Sequence, residues 1–248
     1  MKLSNCKAVI LAGGRGTRLY PVTKEIPKPL LPVKGKPIIN YLVDLFREEG
    51  MKDIAVLINK DFREDFDWWK KRYYPDPNVK LVEEKEPLGT FGGLCLLKDW
   101  LFPPSSGQAK AFFMTNGDEL KRIDLKKMAD FHQKAGGVGT IALVKVSDPQ
   151  HYGVVICKDG KVQEFLEKPR TPRSNYINSG LYLLSSEILK NLPRGKAGHP
   201  GDKFLMIEKD IFPKLAKEKK LAGFKFNGAW TDCGTWERYS KALKGWNC

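Results

Sequence analysis

A glycine-rich segment near the N-terminus carries the most informative residue types in the sequence. Residues 11–19 read Leu-Ala-Gly-Gly-Arg-Gly-Thr-Arg-Leu, and Pro-Lys-Pro follows at 27–29. Three glycines directly after an apolar run allow the backbone to wrap closely around a ligand and to point its N–H groups at phosphate oxygens. Arg15, Arg18 and Lys28 add cationic donors, and arginine can bind phosphate oxygens through paired hydrogen bonds. The segment therefore predicts a polyphosphate-binding loop; the alternative interpretation is a glycine-rich turn with solvated arginines.

Two widespread phosphate-binding motifs do not fit this segment. Walker A requires G-x-x-x-x-G-K-[ST], which is absent from the sequence. The dinucleotide fingerprint requires a third glycine at the position where Leu19 stands. The loop therefore belongs to neither motif class.

Strand-like and helix-like segments alternate through the first 146 residues. Apolar runs predict strands at 7–12, 54–58, 79–82, 111–115 and 140–146, and helical spacing predicts helices at 38–49, 92–101 and, after the cap Asp124, up to Ala135. This alternation predicts a mostly parallel sheet with helices on both faces. Ligands bind at the carboxyl ends of the strands in such sheets. Gly13, Gly14 and Asp118 all follow predicted strands.

The second half of the sequence has a different pattern. Residues 154–166 predict a hairpin that turns at Asp159-Gly160, and 176–184 and 223–228 predict further strands. Residues 204–217 predict a helix that is interrupted or ends near Pro213, and 235–243 predict a closing helix. Residues 103–107 resemble a surface loop, and no linker divides the chain. We therefore expect one domain with an inserted substrate-facing lobe.

Composition and charge narrow the function classes. The 248 residues are 42% hydrophobic and 29% charged, which is typical of a folded globular protein. No stretch approaches the ~20 apolar residues of a membrane span, and no signal segment opens the chain, so we expect a cytoplasmic protein. The net charge of +14 favours anionic partners: nucleic acid, a membrane surface or phosphorylated metabolites. Basic residues placed among glycines and prolines favour the metabolites.

The glycine-rich segment resembles the opening signature of the nucleotide-sugar pyrophosphorylases, which are sugar-1-phosphate nucleotidyltransferases. That signature, GGxGTRLxPxTxxxPKPLLPVxGKPII, is matched at 13–23, 27–33 and 35–39. Later family landmarks occur in order: EPLGT at 86–90, NGD at 116–118, YG at 152–153, EKP at 167–169, NSG at 178–180 and WTDCGT at 230–235. The resemblance implies a Rossmann-like α/β nucleotidyltransferase fold, with a mostly parallel (mixed) central sheet flanked by helices and a small substrate-facing β lobe.

The resemblance also implies a reaction. A sugar-1-phosphate oxygen attacks the α-phosphorus of an NTP, which yields an NDP-sugar and pyrophosphate. The nucleophile is already anionic, so the protein must mainly align two anions and neutralise charge on the leaving group. By the resemblance, Arg15 and Arg18 hold the triphosphate, Lys28 lies by the α-phosphate and Lys168 clamps the sugar phosphate. The single domain, 1–248, would bind the nucleotide through residues 1–120 and the sugar phosphate through 121–248.

Two aspartates are candidates for a metal site. Mg²⁺ prefers a few carboxylates together with phosphate oxygens and water. Asp118 and Asp232 each lie within a family landmark and each follow a predicted strand. An aspartate after a strand can instead be a turn or cap residue. We predict that Asp118 and Asp232 bind Mg²⁺, and that Asp118 acts in catalysis with Arg18 and Lys28.

The remaining implied residues contact the sugar and the nucleotide. Glu167 and Asn178 are implied as partners of sugar hydroxyls, and Gly153 as a backbone contact. The implied nucleotide-binding set is Leu11, Ala12, Gly13, Gly14, Arg15, Gly16, Thr17, Arg18, Glu84, Gly89 and Thr90.

Glu84 bears on the choice of base. A carboxylate only accepts hydrogen bonds, and guanine presents two adjacent N–H donors, whereas uracil and thymine present one N–H between two carbonyls. Glu84 therefore favours GTP, and residues 86–90 resemble guanylyltransferases that act on mannose- or heptose-1-phosphate. The alternative is that Glu84 points to solvent and backbone groups read the base.

Other functions stay open at this point. One is a UTP- or dTTP-dependent enzyme acting on a hexose- or amino-sugar-1-phosphate, and another is a relative of the choline-phosphate cytidylyltransferases. A third is a non-catalytic regulatory or nucleic-acid-binding protein on the same fold. The presence together of Arg18, Lys28, Asp118, Lys168 and Asp232 favours an enzyme. We expect no nucleic-acid or membrane partner, and the sequence leaves a homo-oligomer open.

Overall fold

Thirteen strands and seven α-helices form the regular structure of the computed structural model, which describes residues 1–103, 111–192 and 204–247. The strands are β1 (Ala8–Ala12), β2 (Pro32–Val33), β3 (Lys36–Pro37), β4 (Ile54–Asn59), β5 (Val79–Glu84), β6 (Ala111–Asn116), β7 (Glu119–Lys121), β8 (Gly139–Lys145), β9 (Gly153–Lys158), β10 (Lys161–Glu167), β11 (Tyr176–Ser185), β12 (Leu221–Lys225) and β13 (Trp230–Asp232). The helices are α1 (Ile38–Glu48), α2 (Arg63–Tyr73), α3 (Gly89–Gly92), α4 (Lys98–Leu101), α5 (Leu125–Ala135), α6 (Phe212–Lys217) and α7 (Trp236–Gly245).

These elements divide into two compact units that interleave along the chain. The first, here called the loop unit because it contains the glycine-rich loop, comprises Lys7–Pro87, Thr115–Ile123 and Gly228–Cys248. The second, called the hairpin unit, comprises Met1–Cys6, Leu88–Met114 and Asp124–Asn227. A nucleotide-binding part over residues 1–120 and a sugar-phosphate part over 121–248 stay predictions.

Parallel strands form the frame of the loop unit. β1, β4 and β5 lie side by side, with Ala12 opposite Ile58 and Asn59 opposite Glu84. The run Ile54 to Ile58 is fully buried, as expected for a strand covered on both faces. Helix α2 packs on β4 and β5. The register brings the carboxyl ends of β1, β4 and β5 to the same edge.

A short two-stranded ribbon completes the loop unit. β7 and β13 pair antiparallel, with Glu119 opposite Asp232 and Lys121 opposite Trp230. Helix α7 begins directly after this ribbon because the Thr235 side chain caps it, accepting a hydrogen bond from the Arg238 N–H at 3.3 Å. Helix α1 packs against β7. The ribbon therefore places residues from two distant chain segments next to each other.

The hairpin unit contains a mixed sheet in the order β6, β11, β8, β12, β10, β9. β8 pairs antiparallel with β11 and parallel with β12, whereas β10 pairs antiparallel with both β9 and β12. The β9–β10 turn holds Asp159 and Gly160 at φ of 48° and 74°, the left-handed conformations that an Asp-Gly turn favours. The Asp124 side chain caps α5, as predicted, by accepting from the Lys127 N–H at 2.8 Å.

The α/β class and the mixed sheet are confirmed, and three predicted elements are wrong in detail. The helix predicted at 92–101 is broken into α3, a 3₁₀ stretch at Gly93–Leu97 and α4, since Gly92 and Gly93 disfavour a continuous helix. The helix predicted at 204–217 is a π-helical turn at Ile207–Ile211 followed by α6, which begins rather than ends near Pro213 because proline suits a first turn. The strand predicted at 223–228 is β12, which ends at Lys225.

Residues 104–107 of the predicted surface loop lie outside the described residues. Among the residues that the structure describes, no helix has both the length and the apolar character needed to cross a bilayer.

Candidate active site

The glycine-rich loop follows β1 and turns at Gly16. Gly16 has a φ of 64°, which glycine adopts readily. The buried Thr23 fixes this turn, since its hydroxyl donates to the Gly16 carbonyl at 2.8 Å. Arg15 and Arg18 are exposed on the loop. The predicted loop therefore presents exposed guanidinium groups next to glycine backbone.

Asp118 lies beside the strand that leads into this loop. The Gly117 N–H donates to the Leu11 carbonyl at 2.8 Å, and a Cβ at Gly117 would lie only 2.7 Å from that oxygen. Any other residue at 117 would therefore force the Asn-Gly-Asp segment away from β1. This close approach explains the glycine and brings Asp118 to the end of β1.

Lys28 and Asp118 form an ion pair in the loop unit. The Lys28 ammonium donates to Asp118 Oδ2; Lys28 is only 8% exposed and the Asp118 side chain 28% exposed. Burial alone would raise the pKa of Asp118, but the positive charge of Lys28, aided by Lys121 and Arg18, lowers it below its ordinary value. Asp118 is therefore ionised at neutral pH. Of the sequence-predicted residues, these two are brought into direct contact.

Asp232 lies nearby on β13 and is held by a turn and by an arginine. Its Oδ1 accepts from the Gly234 N–H at 2.8 Å, and its Oδ2 lies 3.3 Å from Arg238 Nη1. A Cβ at Gly234 would lie 2.7 Å from Asp232 Oδ1 and 3.1 Å from Arg18 Nη2. Gly234 therefore leaves the space in which Arg18 and Asp232 approach each other.

The donor chemistry around these aspartates fits a hard cation. Cys233 directly follows β13, and its N–H donates to the Asp118 carbonyl at 3.1 Å. Burial, with the negative charges of Asp118 and Asp232, raises the pKa of the Cys233 thiol to about 12, so no thiolate competes as a ligand. Among the described residues, no group of three or more His, Cys, Asp and Glu side chains forms a complete metal cage. Two carboxylates that rely on substrate phosphate and water for the other ligands suit Mg²⁺.

Glu84 lies over the first glycine of the loop. Glu84 ends β5, and a Cβ added to Gly13 would collide with the Glu84 carboxylate. The Glu84 side chain is half-buried. Glu84 is thus brought together with Gly13 in the loop unit, as the predicted nucleotide set requires.

The sequence reasoning missed a buried ion pair in the β7–β13 ribbon. Lys121 Nζ lies 3.1 Å from Glu119 Oε2 and donates to the Thr115 hydroxyl at 2.9 Å. Glu119 also accepts from the side chains of Asn116 at 2.9 Å and Trp230 at 3.0 Å. The only signal in the sequence was an acidic and a basic residue two positions apart, Glu119 and Lys121, directly after Asp118.

In the hairpin unit, Gly89 and Thr90 begin α3 under close constraint. Gly89 has a φ of 77°, and a Cβ there would collide with the Leu205 carbonyl. The same carbonyl accepts from the Phe91 N–H at 2.9 Å. Thr90 donates to Glu208 Oε2 at 2.6 Å. Residues 205–208 therefore hold the predicted nucleotide-contacting turn.

The predicted sugar-contacting residues also lie in the hairpin unit. Gly153 and Glu167 are paired across β9 and β10, and a Cβ at Gly153 would lie 3.2 Å from Glu167 Oε2 and 2.6 Å from the ring of Phe165. Lys168 follows with a φ of 48°, and its N–H donates to the Tyr152 carbonyl at 3.0 Å. Its ammonium is exposed, 3.5 Å from Glu167 Oε1. Gly153, Glu167 and Lys168 thus form one group.

Asn178 is joined to a carboxylate that the sequence did not single out. Its amide nitrogen donates to the Tyr182 hydroxyl at 2.8 Å, and its amide oxygen accepts from the Gly180 N–H at 2.9 Å. Tyr182 donates to Glu208 Oε1 at 3.4 Å. Burial raises the pKa of Glu208, against the opposing hydrogen bond from Thr90. No local pattern marks Glu208, because its partners are distant in the sequence.

The loop unit therefore gathers one group of predicted residues and the hairpin unit another. The first group contains Leu11, Ala12, Gly13, Gly14, Arg15, Gly16, Thr17, Arg18, Lys28, Glu84, Asp118 and Asp232. The second contains Gly89, Thr90, Gly153, Glu167, Lys168 and Asn178.

Comparison with known proteins finds relatives that match most of this chain. The chain is 34% identical over 246 residues to mannose-1-phosphate guanylyltransferase 1 of Arabidopsis thaliana, and the match covers 96% of this chain. This chain spans only 64% of the length of that relative.

Similar proteins of known structure match this chain over nearly the full length of both chains. HddC from Yersinia pseudotuberculosis is 30% identical with a TM-score of 0.78, and the match covers 96% of this chain and 98% of that one. HddC has also been solved in complex with GMP-PN. A Bacillus anthracis protein, named provisionally as a glucose-1-phosphate thymidylyltransferase and solved with a sucrose, is 27% identical with a TM-score of 0.82. That match covers 98% of this chain and 97% of the other.

The family model described as "Nucleotidyl transferase" matches residues 7–246, which include every residue of both groups. The predicted family is confirmed on nearly the full length of the chain. The chain belongs to the nucleotidyl transferase family.

Proposed function

We propose that this protein transfers a guanylyl group from GTP to mannose-1-phosphate or a heptose-1-phosphate, with release of pyrophosphate. The observation that carries the proposal is the cluster in the loop unit, in which Lys28 pairs with Asp118 while Arg18 and Asp232 approach each other beside Gly234. Cations and carboxylates next to a glycine-rich loop suit a polyphosphate that binds together with a metal ion.

The chemistry asks for alignment and charge neutralisation. The attacking sugar phosphate is anionic, so no side chain has to remove a proton from it. Arg15 and Arg18 bind the outgoing pyrophosphate oxygens, and Lys28 stabilises charge at the α-phosphate. Lys168, with an exposed ammonium, binds the sugar phosphate, while Glu167 and Asn178 bind sugar hydroxyls. Arg18, Lys28 and Asp118 are then the catalytic set.

The metal in this proposal is Mg²⁺, held by Asp118 and Asp232. When bound, it supplies positive charge to the phosphate oxygens. The depressed pKa of Asp118 keeps that carboxylate ionised and available at neutral pH. Lys28 pairs with the same carboxylate, so the proposed phosphate-binding cation and the proposed metal ligand are in contact.

The choice of GTP rests on Glu84 and on the relatives. The Glu84 carboxylate lies over Gly13, in the loop that the resemblance places beneath the base. Two adjacent N–H donors of guanine match the two oxygens of a carboxylate. The curated relative is a guanylyltransferase for mannose-1-phosphate, and HddC has been solved with a guanine nucleotide analogue.

Glu84→Gln tests the choice of base. Losing a charge-assisted hydrogen bond costs about 1.5–3 kcal/mol, so kcat/KM for GTP should fall about tenfold or more relative to UTP and dTTP. Glu83→Gln is the matched control, because Glu83 is the preceding residue on the same strand and its Oε2 lies 3.7 Å from Arg63. An unchanged GTP to UTP ratio in Glu84→Gln would remove Glu84 from base recognition.

A second candidate is a UTP- or dTTP-dependent enzyme for a hexose- or amino-sugar-1-phosphate. The likeness to the Bacillus anthracis protein favours it. A wild-type protein that prefers dTTP or UTP would support this candidate. Cytoplasmic localisation and the lack of nucleic-acid or membrane partners stay predictions, and a homo-oligomer stays open.

A further inference from the structure

A buried carboxylate of the hairpin unit connects two residues of the proposed binding machinery. Glu208 is 8% exposed and lies in the π-helical turn Ile207–Ile211. One of its oxygens accepts from the Thr90 hydroxyl at 2.6 Å, and the other accepts from the Tyr182 hydroxyl at 3.4 Å. Neither the family signature nor the proposed mechanism gives Glu208 a role.

The hydrogen bonds on the Thr90 side have a fixed direction. The Ile207 N–H donates to Thr90 Oγ1 at 3.0 Å, so the Thr90 hydroxyl proton is directed to Glu208. Thr90 is therefore held both by the backbone and by the side chain of the same turn. Without the carboxylate, the Thr90 hydroxyl would lose its acceptor and could rotate.

The hydrogen bonds on the Asn178 side are directed as well. The Asn178 amide donates to the Tyr182 hydroxyl at 2.8 Å and accepts from the Gly180 N–H at 2.9 Å. These two contacts set which end of the amide is oxygen and which is nitrogen. Tyr182, itself fully buried, donates its proton to Glu208 at 3.4 Å. One of the two contacts that orient the Asn178 amide thus depends on Glu208, through the Tyr182 hydroxyl.

Making these hydrogen bonds with a buried carboxylate costs folding free energy. Burying a charged group disfavours folding unless hydrogen bonds satisfy it, and an apolar residue at 208 would avoid that cost. The electrostatic field of Glu167, a predicted sugar contact, also acts on Glu208. A residue that costs stability and links two predicted substrate contacts is best explained by function.

We propose that Glu208 is a positioning residue for substrate binding, which holds Thr90 for the nucleotide and, through Tyr182, Asn178 for the sugar. This inference rests on the proposed function for the identity of the substrates. It assigns no direct contact between Glu208 and either substrate. Two sets of hydrogen bonds meet at Glu208: the Thr90 arm, from the Thr90 hydroxyl, and the Asn178 arm, from Asn178 through Tyr182. The inference predicts that substitutions can remove each arm without removing the other.

Separate variants on the two arms test the inference. Tyr182→Phe should raise the KM for mannose-1-phosphate several-fold with little change in the KM for GTP, because only the Asn178 arm is cut. Thr90→Val should do the reverse. Glu208→Gln should raise both KM values, because one amide cannot accept at both ends. Calorimetric Kd values for GTP and mannose-1-phosphate should follow the same pattern.

Thr140→Val is the matched control, since Thr140 makes a buried hydrogen bond to His132 at 2.8 Å in the same unit. It should lower the melting temperature and leave both KM values unchanged. If Glu208→Gln and Tyr182→Phe alter only the melting temperature, as this control does, the inference is overturned.

Failure of the proposed function has a different signature. A wild type that binds mannose-1-phosphate and GTP without forming product would overturn the proposed function, while the Kd pattern would still support or overturn the role of Glu208. A wild type that binds neither substrate would overturn both.

Discussion

The partly buried Asp118 carboxylate has cationic neighbours and is also a proposed ligand of Mg²⁺. It pairs with Lys28 and lies within the field of Lys121 and Arg18. Asp118→Asn and Asp232→Asn should each lower kcat by orders of magnitude with the fold retained, because the charge stabilisation lost is greatest in the transition state. Steady-state kinetics over a Mg²⁺ titration, with circular dichroism, measure this. Asp67→Asn, which alters an exposed pair with Arg63, is the control. Near-normal turnover in either variant would remove that aspartate from the metal site.

The buried carboxyl group of Glu208 should make the stability of the folded protein depend on pH. Burial raises its pKa above the ordinary value of 4.5, so the folded state binds a proton more tightly than the unfolded state does. The contribution of Glu208 to stability therefore falls as pH rises from that value through the folded pKa. Wild type should gain melting temperature relative to Glu208→Gln on going from about pH 8 to about pH 5. Differential scanning calorimetry measures the difference, with exposed Glu187→Gln as control. A pH-independent difference would mean that Glu208 titrates normally.

At the scale of elements, the β7–β13 ribbon depends on a buried ion pair. The Lys121 side chain is 0% and the Glu119 side chain 9% exposed. Lys121→Met should cost about 3–5 kcal/mol in urea unfolding, because it leaves a buried carboxylate without its cation. Glu119→Gln/Lys121→Met should be less destabilised than Lys121→Met, since no charge is left buried. Lys126→Met, which breaks an exposed pair with Asp130, should cost about 0–1 kcal/mol. Equal losses for Lys121→Met and Lys126→Met would contradict this account.

The elements that the sequence predicted well are those with local signals. Runs of apolar residues predicted β1, β4 and β6, and the Asp-Gly pair predicted the β9–β10 turn. The ribbon was missed because its strands are three residues long and each pairs with a strand more than 100 residues away. The π-helical turn was missed for a similar reason, since Thr90 and Glu208 are 118 residues apart. Tertiary contacts of this kind leave no periodicity in the sequence.

The residues of the candidate site also divide into those with a local sequence signal and those without one. Family landmarks in the sequence predict Lys28, Asp118 and Asp232 as site residues, because these residues lie within recognisable strings. Other residues near the two groups lie outside those strings. Arg238 pairs with Asp232, the charge of Lys121 acts on Asp118, and Glu208 accepts from Thr90. Sequence reasoning thus found the groups that would touch substrate and missed the groups that position them.

At the scale of the whole molecule, the net charge of +14 favours the binding of anions, and both substrates of the proposed reaction are anions. The nucleotide group lies mainly in the loop unit, and the sugar group lies in the hairpin unit. The exceptions are Gly89 and Thr90, which are proposed to contact the nucleotide and lie in the hairpin unit.

Pyrophosphate release, measured with each NTP against a set of sugar-1-phosphates, tests the proposed guanylyl transfer most directly. We predict Mg²⁺-dependent release that is fastest for GTP with mannose-1-phosphate or a heptose-1-phosphate, with kcat/KM at least about tenfold above UTP and dTTP. The nucleotide product should be the corresponding GDP-sugar. Release of no pyrophosphate from any pair would contradict nucleotidyl transfer, and a preference for UTP or dTTP would contradict the assignment of GTP.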